Sequence, residues 1–177
     1  GIGANSCTSS ATASVVVNPS PIVNAVSAST AICPGNSLTF FGSGTASTYS
    51  WNGSATGPNL IVTPTISSTY TLAGSNNFGC ISTKTLALTV YTLPTLSVTA
   101  NRPGVCRGEK ITLTASGASS YTWITQGVLT PSVLITPSSA QVYTYQVAML
   151  SSDGCENTGT YVLTVSACTG LSENIGT

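Results

Sequence analysis

The stretch Thr48-Tyr49-Ser50-Trp51-Asn52-Gly53-Ser54 reads as a short strand running into a turn. Side chains on a strand alternate between two faces, so Tyr49 and Trp51 share one, and Asn-Gly is a turn dipeptide in its own right. The design returns as Tyr121-Thr122-Trp123, and the match spreads outward in both directions. With the cysteines as anchors and a shift of about 73 positions, Cys33 falls on Cys106 and Leu38 on Ile111. Further on, Ile61-Val62-Thr63-Pro64 meets Leu134-Ile135-Thr136-Pro137, and Thr69-Tyr70-Thr71 meets Val142-Tyr143-Thr144. Gly79-Cys80 then meets Gly154-Cys155, and Leu88-Thr89-Val90 meets Leu163-Thr164-Val165. Offsets of one or two residues fall in Gly/Ser/Asn stretches, where loops tolerate changes of length.

The register divides the chain into two tandem domains, 22–93 and 94–168, with a C-terminal tail at 169–177. A partial third copy precedes them. Cys7 aligns with Cys80, Thr12 with Thr85, and Val15 to Val17 with Leu88 to Val90, so 1–21 reads as the last strand of a preceding repeat. Such a strand belongs either to a longer parent array or to another subunit.

Within each unit the apolar period is two, and the runs are rich in β-branched residues. In the first, the expected strands are Ile22–Ser27, Ser37–Phe41, Thr48–Trp51, Leu60–Thr63, Thr69–Ala73 and Thr83–Tyr91. Turn formers separate them: Pro34-Gly35-Asn36, Gly42-Ser43-Gly44, Asn52-Gly53-Ser54 and Ser75-Asn76-Asn77. No stretch keeps a helical period. Six or seven short strands per unit predict an all-β protein of two immunoglobulin-like β-sandwiches preceded by an extra N-terminal strand. Trp51 and Trp123 then lie on the third strand, where such a sandwich buries a bulky residue between its sheets. The competing reading is an exposed aromatic platform for sugar. Tyr70 and Tyr143 are candidates for corner tyrosines whose hydroxyls bond the backbone.

Composition narrows the function. Of 177 residues, 4 are Lys or Arg, 4 are Asp or Glu, none is His, and Ser and Thr together supply 56. A typical soluble domain is about 25% charged; here the figure is 5%, so the surface is hydroxyls and amides. Nucleic acid needs a cationic stripe, and a membrane surface needs clustered Lys and Arg. Four basic residues provide neither. No apolar stretch is long enough for a helical membrane span. Acid–base catalysis would have to draw on Glu109, Asp153, Glu156, Glu173, two Lys and seven Tyr, so no enzyme is expected, and no cofactor.

Six Cys without a CxxC pair or a Cys/His cluster argue for disulfides over zinc, and disulfides argue for an oxidising compartment. Each repeat carries one pair at matching positions, which predicts Cys33–Cys80 and Cys106–Cys155. Six alternating strands would bring the two cysteines of a pair to one end of a sandwich; a seven-strand count would separate them. Cys7 and Cys168 have no repeat partner and are expected to pair with each other, within or between chains.

The residues Cys33, Tyr49, Trp51, Pro64, Tyr70, Gly79 and Cys80, with Cys106, Tyr121, Trp123, Pro137, Tyr143, Gly154 and Cys155, form a pattern over nearly the whole chain. It resembles the PKD-like and Ig-like repeats of very large surface proteins in gliding, biofilm-forming bacteria that use type IX secretion. The tail Ala167-Cys168-Thr169-Gly170-Leu171-Ser172-Glu173-Asn174 resembles the junction before the sorting domain of such proteins. The resemblance implies an exported, extracellular product trimmed near its end, without enzymatic activity. PKD modules carry Gly-Asp-Gly after the Trp. Here Asn52-Gly53-Ser54 and Ile124-Thr125-Gln126 stand instead, so no acidic-loop function carries over.

Other candidate sites have simpler explanations. Asn52-Gly53-Ser54 is a glycosylation sequon and also a turn; O-linked sugar would have many Ser and Thr to choose from. Glu109, Asp153 and Glu156 fall short of the six or more oxygens that calcium takes and are expected to be solvated loop charges. The expectation is therefore an extracellular structural or adhesive module, a subunit of a surface filament or stalk in which Val15, Val16 and Val17 dock as a strand on the next subunit. Its partner is a further copy of itself, with surface glycans as a second class. A carbohydrate-binding module is the alternative, which would need solvent-facing rings among Trp51, Trp123, Tyr91 and Tyr145.

Overall fold

A computed structural model describes residues 10–168. In chain order its strands are β1 (Val23–Ser27), β2 (Ala31–Ile32), β3 (Leu38–Gly44), β4 (Thr48–Trp51), β5 (Ala55–Thr56), β6 (Asn59–Val62), β7 (Ser68–Ser75) and β8 (Ile81–Val90) in the first repeat. The second repeat contains β9 (Ser97–Ala100), β10 (Val105–Cys106), β11 (Ile111–Ser116), β12 (Ser120–Trp123), β13 (Ser132–Ile135), β14 (Val142–Leu150) and β15 (Glu156–Ser166). The expected strands of the first repeat all appear, with ends moved by a few residues.

In the first repeat, β1-β3-β6 form one sheet and β2-β8-β7-β4-β5 the other. In the second, the sheets are β13-β11-β9 and β10-β15-β14-β12. The arrangement is that of immunoglobulin-like sandwiches. The first strand of each repeat pairs antiparallel in one sheet, and the chain then crosses to add a two-residue strand, parallel, to the other. Thus Ile32 lies opposite Val90, and Cys106 opposite Ser166. Runs of two residues show no periodicity, which is why β2 and β5 escape a sequence reading. By packing, one unit comprises the segment ending at Thr30 with Ser37–Val62 and Ser68–Leu88. The other comprises Ala31–Asn36, Thr63–Ser67 and the chain from Thr89 onward.

Two expectations are corrected here. Gly42-Ser43-Gly44 is the end of β3, not a turn. Its glycines answer to crowding: a Cβ on Gly42 would stand 2.6 Å from Leu72 Cδ2 and 2.8 Å from the Pro58 carbonyl oxygen. Gly44 (φ +138°) and its repeat partner Gly117 (φ +103°) each leave only 1.9 Å between such a Cβ and a carbonyl oxygen, of Ile22 and Thr95 respectively. The second correction concerns the N-terminal strand. Residues 10–21 pair with no sheet, and Val15, Val16 and Val17 are more than 80% exposed. A lone strand is not stable in water, and among the described residues each repeat already has its own last strand. Cys7 and the tail lie outside the described residues.

The cores are aromatic. In the first repeat Phe40 stacks on Trp51 with ring centroids 5.6 Å apart, and Tyr70 lies 4.8 Å from Phe40. Leu72 and Leu88 are buried beside them in the same repeat. The second core gathers Ile111, Leu113, Tyr121, Trp123, Tyr145, Val147, Met149, Leu163 and Val165. Trp51 and Trp123 are 1% and 0% exposed, and each satisfies its indole N–H on a carbonyl seven residues on: Pro58 at 3.1 Å and Thr130 at 3.2 Å. Burial without an orphaned donor is the least costly way to seat an indole. Trp51→Ala or Trp123→Ala is therefore expected to lower unfolding free energy by about 3–5 kcal/mol, as large-to-small core changes do; chemical denaturation of each variant measures it.

Candidate functional site: the cysteine turns and hairpins

Two backbone devices present the cysteines, and each is built twice. The first is the turn after the short parallel strand. At Cys33-Pro34-Gly35-Asn36 the Asn36 amide donates to the Cys33 carbonyl (3.2 Å) and the Gly35 amide to Pro64 (3.0 Å). At Cys106-Arg107-Gly108-Glu109 the Glu109 amide donates to Cys106 (3.1 Å) and the Gly108 amide to Pro137 (2.6 Å). Gly35 and Gly108 hold φ +76° and +80°, where a Cβ would be strained. Glu109 also accepts the Cys106 amide and pairs with Arg102 at 3.0 Å.

The second device is the hairpin between the last two strands. In the first repeat the Asn76 side-chain oxygen accepts the amides of Phe78 and Cys80, both at 3.0 Å, while its amide group donates to Pro19. In the second, Ser151 Oγ accepts the Cys155 amide at 3.1 Å. The main-chain bonds match: Asn76 to Cys80 (3.1 Å) and Gly79 to Asn76 (3.0 Å), against Ser151 to Cys155 (2.9 Å) and Gly154 to Ser151 (3.1 Å). The two hairpins thus offer Cys80 and Cys155 on equivalent backbones.

The bonds formed are Cys33–Cys155, with a sequence separation of 122, and Cys106–Cys168, with a separation of 62. Both differ from the expected Cys33–Cys80 and Cys106–Cys155, and Cys168 is not left over for Cys7. The reason is the parallel strand. Cys33 follows a strand that pairs with the end of β8, whereas Cys80 precedes the start of β8; the 10 residues of β8 lie between them. In the second repeat the 11 residues of β15 separate Cys155 from the level of Cys106 in the same way. At about 3.3 Å per residue such a span is roughly 30 Å, while a disulfide needs Cα atoms within about 7 Å. The turn of the first repeat bonds the hairpin of the second, and Cys106 bonds Cys168 at the end of its own repeat. Among the described residues Cys80 is a free thiol, half-buried, with its Sγ 3.8 Å from the Asn18 carbonyl oxygen.

The remaining candidates are structural. Asn52 (φ +49°) and Gly53 (φ +74°) make a tight turn, and Asn52 Oδ1 accepts the Thr71 amide at 2.9 Å. Asp153 and Glu156 are exposed, and no three His, Cys, Asp or Glu residues among the described residues cluster as metal ligands do. Tyr145 is buried and Tyr91 half-buried. Tyr143 is a corner tyrosine: its hydroxyl meets the Ser139 amide at 3.2 Å, Oγ at 3.0 Å and carbonyl at 3.3 Å. The Ser139 side chain, bonding the phenolate, holds the Tyr143 pKa below the ordinary tyrosine value of 10.0. Burial pushes Tyr145 above it, and charge on Tyr143 adds to that push.

The sequence matches no protein-family model and no curated protein. Similar solved structures include murine CEACAM1b, at 11% identity over 82% of this chain and 99% of that one, with a TM-score of 0.40. Three N-terminal domains of the highly immunogenic outer capsid protein of bacteriophage RB49 match at 14% identity, over 82% of this chain and 59% of that one, with a TM-score of 0.39. The IgVJ-C2 molecule of amphioxus matches at 18% identity, over 76% and 99% of the two chains, with a TM-score of 0.34. Likeness at this level carries no argument about what the chain binds or does.

Two outcomes are expected from this geometry. Replacing Cys33 and Cys155 together by Ser lowers unfolding free energy by about 4–5 kcal/mol through the long loop they close, while Cys80→Ser changes it by less than about 0.5 kcal/mol; denaturant titration of both variants measures this. In an ultraviolet titration of tyrosinate above pH 9, the component removed by Tyr143→Phe ionises at lower pH than the one removed by Tyr145→Phe.

Proposed function

We propose that the chain is a non-catalytic structural or adhesive module of the cell exterior whose copies join head to tail into a filament or stalk. The observation that carries this reading is the pair of unsatisfied features in one chain. Val15, Val16 and Val17 form a strand-like apolar run without a sheet, and β10 is an outer strand that pairs with β15 alone among the described residues. An open edge is a template for an added strand. A strand from one copy on the edge of the next makes a heterologous contact, which grows without closing when repeated.

Other features support the same reading. Disulfides persist in oxidising surroundings outside the cytosol. A surface with 5% charged residues suits a packed extracellular array better than an electrostatic ligand. The resemblance to repeats of type IX-secreted surface proteins points to the same location, and exposed Ser and Thr are acceptors for O-linked sugar. As for sugar binding, Trp51 and Trp123 are enclosed between sheets and offer no ring face.

Removing residues 1–17 tests assembly. Electron microscopy and sedimentation are expected to show loss of filaments, while the melting temperature of the sandwiches stays within a few degrees of the full chain. Unchanged filaments from the shortened chain overturn the strand-docking reading.

A further inference from the structure

We propose that Cys80 takes part in an intermolecular disulfide, formed by exchange with the Cys106–Cys168 bond of a second copy. The proposal rests on the head-to-tail reading above and adds a covalent step to it. The first ground is internal comparison. Cys80 and Cys155 stand on equivalent hairpins, and Cys155 is bonded to a turn cysteine, Cys33. Cys106 stands on the equivalent turn, so Cys106 of one copy is to Cys80 of the next as Cys33 is to Cys155.

A second, independent ground is the surface around the thiol. Phe78 and Ile81, on either side of Cys80, are 67% and 64% exposed. At the corresponding places beside Cys155 stand Asp153 and Glu156. Large apolar side chains held out on the free hairpin, where the bonded one carries solvated acids, mark a contact surface for another protein.

The third ground is the disulfide offered for exchange. Cys155 in the Cys33–Cys155 bond is fully buried, whereas Cys168 is exposed and Cys106 half-buried. Exposed disulfides are the exchangeable ones. Cys168 also sits at φ +38°, a backbone region costly for any residue but glycine. In the step, the Cys80 thiolate attacks Cys106 Sγ of the second copy. The Cys106–Cys168 bond breaks, the new Cys80–Cys106 bond forms, and Cys168 leaves as a thiolate that takes up the proton lost by Cys80. One disulfide replaces another, and neither oxidant nor reductant is consumed. Each junction frees one Cys168 thiol, and the copy at the growing end keeps its own bond closed.

The test uses the full chain, assembled, then alkylated and mapped by mass spectrometry under non-reducing conditions. The expected result is a ladder of covalent multimers, a peptide pair joining Cys80 to Cys106, and one alkylated Cys168 per junction. The ladder disappears in Cys80→Ser, and equally when Cys80 of the folded native chain is alkylated before assembly, which guards against a folding defect in the variant; Cys7→Ser leaves it intact. Cys80 found joined to Cys7 or to Cys168, or a ladder that survives Cys80→Ser, overturns the proposal. Filaments by microscopy in which Cys80 stays alkylatable overturn the exchange while leaving head-to-tail assembly in place. Absence of filaments alongside an absent ladder overturns both.

Discussion

A two-residue parallel pairing governs the cysteine chemistry of this molecule. Because Ala31–Ile32 lies along the end of β8 and Val105–Cys106 along the end of β15, the turn cysteine and the hairpin cysteine of a repeat are held at opposite ends of one long strand. No disulfide can join those two cysteines within a repeat. Cys33 bonds instead to the hairpin cysteine of the next repeat, and Cys106 to Cys168, just past the end of β15 in its own repeat. One disulfide thus joins cysteines of successive repeats, and the other closes a loop within the second, while the first repeat relies on its own core.

That core carries the load with few resources. A unit of some 70 residues has limited apolar area to bury, and these units spend none of their interior on charge: among the described residues no polar or charged residue is fully buried. Trp51 and Trp123 supply bulk between the sheets, and their N–H groups are satisfied by carbonyls of the loop that follows. Stability is thus placed in aromatic packing and long-range disulfides. The surface of Ser and Thr stays free for contacts that do not depend on ionic strength.

Much was legible in the residues themselves. Repeat register, strand alternation and Asn-Gly turn chemistry are local signals, and they predict the sandwiches, the buried Trp side chains and the corner hydroxyl of Tyr143 before any coordinates. Scarce charge and missing His are likewise read from composition, which leaves few groups for acid–base chemistry. The Gly42-Ser43-Gly44 run misled, since glycine in a strand can answer to a neighbour's bulk as readily as to a turn, and the neighbour, Leu72, is distant in sequence.

Disulfide partners and strand pairing belong to the tertiary structure. Repeat symmetry says which cysteines are alike, and it tempts one to pair those that recur together. Pairing depends on distance, and distance depended on whether a two-residue strand crosses to the other sheet, a choice too short to leave a period. The same holds for the N-terminal segment. Its sequence determined that Val15, Val16 and Val17 suit a sheet, but only the fold decided that no edge among the described residues receives them, because a strand is completed by hydrogen-bonding partners that lie outside itself.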